Sequence, residues 1–251
     1  MNRSGSPRGV DLLAIAPHPD DVELFCGGTM LLAAAGGRST AIVDLTDGEL
    51  STNGNPARRA RERDVATELL GLSARRSLGL PDGSLGNDPG HRDAVVQAIR
   101  ELAPRVVLAP HWEDRHPDHR AAGRIVSEAC YLAGLARYGA GSAHRPHRVF
   151  WYMLHHSFEP SVVVDVGPVW QDRLRLLDVY ESQLSRDGDV VPTPVNDARF
   201  RDALRARAVW FGAMVGVAYG EPFRVDGPLL LNELPQYGGV PRLAPAYQAY
   251  L

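Results

Sequence analysis

The chain has 251 residues, 44% of them hydrophobic, and a formal net charge of −3, which suits one large domain with its own core and leaves no basic footprint for nucleic acid. Every strongly basic side chain is an arginine, and the lack of lysine excludes Schiff-base catalysis and a P-loop. Cys26 and Cys130 are too few for a disulfide framework, no apolar run reaches the roughly 20 residues of a membrane span, and polar residues 1–10 read as a flexible N-terminus without a leader's apolar core, so a cytoplasmic protein with no membrane partner is expected.

Asp11–Ala16 reads as a short buried strand that ends at Pro17. Gly28–Ala35 reads as a helix closed by Gly36-Gly37, and Ser39–Leu45 as the next strand. A polar loop over Asp47–Pro56 precedes an Arg- and Glu-rich amphipathic helix, Ala57–Leu70. Arg75–Leu80 is a predicted strand before the turn Pro81-Asp82-Gly83. His91–Leu102 is helical, with Ala94, Val95, Ala98, Ile99 and Leu102 on one face. Arg105–Ala109 is a strand ended by Pro110, and Pro117–Leu135 has helical periodicity. Val149–Leu154 and Val162–Val166 are two further strands, and Val169–Gln183 and Asp197–Tyr219 two helices. The tail from Glu221 is rich in proline and glycine. Strands alternating with helices predict an α/β fold: one Rossmann-like domain over residues 1–251, with a mostly parallel sheet flanked by helices. In that order the first and fourth strands are neighbours, and ligands sit beyond their carboxyl ends.

Both of those strands run into histidine-rich turns. The first is His18-Pro19-Asp20-Asp21; the second is His116-Pro117-Asp118-His119. A proline suits the first position of a helix, and a helix N-terminus disfavours a charged imidazole, so His18 is expected to be neutral and able to bind metal. Adjacent residues of a turn point in different directions, which lets Asp20 and Asp21 take different tasks. His18, Asp21 and His119 would make a three-ligand set with open positions, as in catalytic zinc sites. Asp20 can then act as general base and later general acid. His116, pinned by Asp118, can donate to the oxyanion of a tetrahedral intermediate. Either motif alone is also what an ordinary helix cap looks like; the pair, each directly after an apolar strand, is what points to a site. His111, His144 and His147 read as surface or loop residues, while His155-His156 follow a strand and can line the same crevice.

At these residues the chain resembles the LmbE-like (PIG-L) family of zinc-dependent N-deacetylases. The likeness runs through Asp44-Leu-Thr-Asp-Gly-Glu-Leu-Ser-Thr-Asn-Gly54, Leu78-Gly-Leu-Pro-Asp-Gly83, Glu113–His119, Tyr180-Glu-Ser-Gln183 and Phe211–Glu221. The longer pattern most resembles the bacillithiol-biosynthesis branch, which deacetylates N-acetylglucosaminyl malate. The resemblance implies a single LmbE-like domain, with His18, Asp21 and His119 as zinc ligands and Asp20 as general base. It implies His116 as oxyanion donor with Asp118 as its orienting partner, and Arg59 as the residue that holds the anionic aglycone. Malate carries two carboxylates, and arginine clamps carboxylates bidentately. It also implies a homo-oligomer, a trimer or hexamer. Arg199 stands where some relatives carry a tyrosine near the active site, and His155-His156 where many carry a smaller neutral pair.

Three alternatives remain from the sequence. The same chemistry serves another amino sugar, a glycolipid or mycothiol-type conjugate, or an antibiotic intermediate. The same ligands accept Fe2+ as well as Zn2+. A non-hydrolytic dinucleotide-binding module is disfavoured, because the first strand–helix junction lacks G-x-G-x-x-G and puts two aspartates where a pyrophosphate would lie.

Overall fold

The computed structural model describes residues 9–186, 188 and 190–230; the flexible start expected over residues 1–10 falls mostly outside them. β1 (Leu12–Ala16), β2 (Thr40–Asp44), β3 (Ala74–Ser77), β4 (Val106–Pro110), β5 (Arg148–Tyr152), β6 (Val162–Asp165) and β7 (Gly220–Arg224) form one sheet, in the order β3-β2-β1-β4-β5-β7-β6. β3 to β5 are parallel, while β7 runs antiparallel to both β5 and β6. The expected mostly parallel α/β sheet is present, with β1 beside β4 in the register Leu12↔Val106 and Ala14↔Leu108.

Side chains of a strand alternate between faces, and the core divides accordingly. Leu13, Ile15, Val43 and Val107 pack with Val95, Ile99 and Val126, which lie on α3 (Pro89–Leu102) and α4 (Pro117–Ala133). Ala14, Ala16, Ile42 and Leu108 face the other way. They meet α1 (Asp21–Ala35), α2 (Pro56–Leu69), α5 (Trp170–Val179) and α7 (Ala198–Met214) through Val22, Met30, Ala66, Leu176 and Leu204. Among the described residues no helix is long and apolar enough to cross a membrane.

Five expectations need correcting, one of them the helix predicted to run to Tyr219, which ends at Met214. The first helix begins at Asp21, seven residues before the predicted start, and is interrupted at Cys26 (φ −144°). The predicted strand Arg75–Leu80 stops at Ser77. The helix expected over Val169–Gln183 breaks at Tyr180 and resumes as α6 (Glu181–Leu184). The break turns the Tyr180 hydroxyl onto the buried carboxylate of Glu23, at 2.7 Å, and lets Ser182 donate to Glu62 from its N–H (2.8 Å) and its hydroxyl (2.6 Å). Lastly, the start of the Pro/Gly-rich tail is strand β7. Pro222 is tolerated there because β5 pairs only with Phe223 and Arg224, so its missing N–H removes no ladder bond on that side.

Candidate active site

The sheet brings the two turns together at the carboxyl ends of β1 and β4. The first turn is tight: the N–H of His18 donates to Oδ2 of Asp21 at 3.0 Å. Asp20 holds φ 143°. A non-glycine residue rarely occupies that region, and strain of this kind gathers at functional sites. In the second turn Pro117 opens α4, and His116 caps it by accepting the N–H of Asp118 on Nδ1 at 3.2 Å.

Ligand atoms of His18, Asp21 and His119 all lie within 4.8 Å of one another. Nδ1 of His18 is 3.2 Å, and Nε2 of His119 3.4 Å, from the same Oδ2 of Asp21. The far nitrogen of each ring is backed by a carboxylate. Nε2 of His18 meets Asp82 at 3.2 Å and Asp118 at 3.4 Å, and Nδ1 of His119 meets Asp114 at 3.0 Å. Metal-ligating histidines are held in this way. Two overlapping groups, His18–His116–Asp118 and Asp114–His119–His155, are equally close, but their carboxylates accept main-chain N–H groups on both oxygens, whereas Asp21 accepts one, from His18, on Oδ2 alone. Asp118 accepts from Gly83 (2.6 Å) and Leu85 (3.2 Å); Asp114 accepts from His116 (2.9 Å), His155 (2.8 Å) and His156 (3.2 Å). The His18–Asp21–His119 set therefore fits a divalent cation best.

Electrostatics agree with that choice. Burial works against charge on His18, yet the carboxylates of Asp118, Asp21 and Asp82 outweigh it and hold its pKa well above the usual value. The expectation of a neutral His18 considered only the helix terminus and left these acids out. Burial likewise opposes charge on His119, but Asp21 and Asp114 raise it to about 9. Asp21, despite burial, is held well below the carboxylate range by His119 and His18. A site that draws protons onto both imidazoles so strongly is one where a cation competes for the same place.

Asp20 differs from its neighbour. Burial raises its pKa to about 7, Arg59 opposes the rise, and Asp21 adds to it. Arg59 is buried, with Nη2 2.7 Å from the carbonyl of Pro19 and 3.5 Å from the Asp20 carboxylate. Its Nε has no partner. Gly48 leaves room for the guanidinium, since a Cβ there would come within 2.9 Å of Arg59 Cζ.

His116 is pushed below the usual imidazole pKa by burial and by the charges on His119 and His18. Because its Nδ1 accepts an N–H, the neutral ring carries its proton on Nε2. Asp118 meets His116 through its main-chain N–H, while its carboxylate is held by the 83–85 turn and by His18.

A cavity of about 420 Å³ joins His18, Asp20, Asp21, Arg59, His116 and His119. Its other walls include Phe25, Leu50, Asp82, His155, Gln183 and Val195. His155 does line the crevice, and burial with the charge on His119 lowers its pKa to about 4. Arg199 pairs with Asp197 at 2.8 Å, with its side chain 90% exposed, and is not among the cavity's lining residues. His111 is buried rather than on the surface, with its ring 4.3 Å from Trp112 and 4.7 Å from Phe158, centroid to centroid. Asp82 and Asp114 are the supporting residues that the sequence reading gave no role. A clue to Asp114 was its position five residues before His119 in the same acidic, histidine-rich stretch.

A Rossmann-like sheet with paired histidine–aspartate turns at its switch point defines the class: LmbE-like α/β domains. Comparison with known proteins agrees. The family described as PIG-L, GlcNAc-PI de-N-acetylase, matches residues 13–130. Diacetylchitobiose deacetylase of Thermococcus kodakarensis is 30% identical over 237 residues, covering 89% of this chain and 86% of that protein. Probable N-acetyl-alpha-D-glucosaminyl L-malate deacetylase 2 of Bacillus anthracis is 35% identical over 132 residues, covering 47% of this chain and 58% of its own length. The crystal structure of a conserved protein from Thermus thermophilus is similar at TM-score 0.81 and 41% identity, covering 88% of this chain and 97% of that one. The chain belongs to the PIG-L (LmbE-like) deacetylase family.

Proposed function

We propose that this protein is a metal-dependent hydrolase that removes the acetyl group from an N-acetylglucosamine conjugate. The observation that carries the reading is the His18–Asp21–His119 cluster, each imidazole backed by a carboxylate, beside a strained Asp20 whose pKa lies near neutrality. Zinc suits this donor set, and the same ligands accept iron. A bound divalent cation supplies Lewis-acid polarisation of the acyl carbonyl and of the attacking water. Asp20 takes the proton from that water and returns it to the leaving nitrogen, and a pKa near the working pH serves both steps. His116 donates its Nε2–H to the oxyanion as charge develops there.

The sharper reading names N-acetylglucosaminyl malate. Arg59 supports it, because its side chain lines the cavity and its guanidinium is only partly met by the carbonyl of Pro19 and the carboxylate of Asp20. A neutral aglycone is the rival, since a relative that spans 89% of this chain is named for diacetylchitobiose. The test is acetate release from N-acetylglucosaminyl malate, diacetylchitobiose and N-acetylglucosaminyl inositol, with metal content measured on the same preparation. Preference for the malate conjugate is expected. Release from none of them, or full activity after complete metal removal, overturns the function; preference for a neutral aglycone overturns only the sharper reading.

A further inference from the structure

His155 is the one crevice histidine that the reaction above does not use. It stands just past β5, and its main-chain N–H is held by the carboxylate of Asp114 at 2.8 Å. The same carboxylate holds the ring of His119, so one side chain fixes both residues relative to each other. The His155 ring lies nearly parallel to that of His119, with centroids 5.3 Å apart and 14° between planes. It meets Phe25 edge-on at 5.4 Å and 85°. Among the described residues no hydrogen bond involves its ring nitrogens, and the ring borders the cavity.

Packing alone does not account for an imidazole here. The contacts with His119 and Phe25 use the ring's face and edge, which a phenyl ring would supply as well. What the imidazole adds is one donor and one acceptor, and polar atoms on a crevice wall without a protein partner are met by water or by a ligand. A hydroxyl is the group that can answer a donor and an acceptor together. An N-acetylglucosamine conjugate presents such a hydroxyl on C3, next to the carbon that bears the acetamido group, since C1 carries the aglycone; the other ring hydroxyls lie further from the reacting amide.

We propose that His155 is a substrate-contacting, specificity-determining residue that hydrogen-bonds a ring hydroxyl of the amino sugar while its acetamido group lies at the His18–Asp21–His119 cluster. This rests on the reading of the site as an amino-sugar deacetylase. Asp114 is then the common anchor of a metal-binding ring and a sugar-binding ring, which ties the position of the sugar to that of the metal cluster.

The experiment uses the metal-loaded full chain as wild type, His155→Phe and His155→Gln, with N-acetylglucosamine conjugates lacking one ring hydroxyl at a time. His155→Phe is expected to raise KM about tenfold, on the scale of one lost hydrogen bond, with kcat within about twofold and metal content unchanged. His155→Gln restores part of the loss. One deoxy substrate should be about tenfold poorer for wild type yet nearly equivalent to its parent for His155→Phe, a non-additivity that a packing role would not produce. Unchanged kinetics, loss of metal from His155→Phe, or additive losses for every hydroxyl overturn the assignment. If the wild type binds the sugars without turning them over, the deacetylase reading fails, and the same comparison is read from calorimetric affinities, where the same non-additivity is expected. Absence of binding overturns both.

Discussion

The carboxylate of Asp20 and the guanidinium of Arg59 lie 3.5 Å apart on the wall of the cavity, both largely buried. Burial raises the pKa of Asp20, and Arg59 is the first influence against that rise. As general base Asp20 must be ionised, so activity rises with pH through its pKa. That value is about 7 in the polypeptide alone, and a nearby cation lowers it further. Arg59→Ala removes a positive charge and raises it. The acid limb of the kcat/KM profile should therefore move up by about 1 to 3 pH units, while Arg59→Lys moves it less. A limb that stays where it was would separate Arg59 from the base.

Asp20 should also destabilise the apoprotein. Its folded pKa lies above the usual 3.8, so the folded state holds the proton more tightly than the unfolded chain. The sign follows: the penalty is absent below about pH 4, grows up to about pH 7 and stays constant above. Asp20→Asn removes it. Urea unfolding of metal-free protein should find the variant more stable than wild type at pH 8 and the two alike at pH 4. The same variant should keep its metal and lose about 10²- to 10⁴-fold in rate. Metal loss instead would make Asp20 a ligand.

Asp114 accepts from His119 Nδ1 (3.0 Å) and from the N–H groups of His116 (2.9 Å), His155 (2.8 Å) and His156 (3.2 Å). Asp114→Asn keeps the shape but makes one edge of the group a donor facing donors. Loss of such a support typically costs about 10- to 100-fold in metal affinity. Competition with a chelator should register that weakening; an unchanged affinity would mean that His119 needs no carboxylate behind it.

The two turns were legible because each follows an apolar strand and is marked by proline between histidine and aspartate. Their convergence was legible from strand alternation alone, since β1 and β4 are neighbours in the expected order. The supports were not. Asp82 and Asp114 lie in loops, and composition does not say which N–H groups a loop carboxylate will meet. Asp118 was read as the partner of His116, which it meets through its main-chain N–H, and nothing in the sequence showed that its carboxylate would reach the turn at Gly83 and Leu85. The start of α1 was hidden for a related reason. Val22, Glu23, Leu24, Phe25 and Cys26 are all buried, so the segment shows no amphipathic period, and Gly27-Gly28 reads as a boundary.

The start of the tail carries the last prediction, because Glu221 on β7 completes a helix far away in sequence. The irregular backbone at Cys26 frees N–H groups at the middle of α1. Glu221 accepts from the N–H groups of Gly28 (2.9 Å) and Thr29 (2.7 Å), the Thr29 hydroxyl (2.7 Å) and Nε of Arg173 (3.0 Å). It acts as an N-cap for the second half of α1, with the buried Arg173 as its counter-ion; Arg173 also donates to the carbonyl of Leu24 at 2.7 Å. Glu221→Ala leaves an uncompensated buried guanidinium and two bare N–H groups, and should cost about 3–5 kcal/mol. Glu221→Gln keeps acceptors for the helix but not the charge, so it should cost less. Gly28→Ala tests the same contact from the other side, since a Cβ there would lie 2.8 Å from Val166 Cγ1 and 2.9 Å from Glu221 Oε1. Urea midpoints should rank Glu221→Ala below Glu221→Gln below wild type, with metal content per folded molecule unchanged. A Glu221→Ala variant as stable as wild type would mean that the interrupted helix holds itself together without β7.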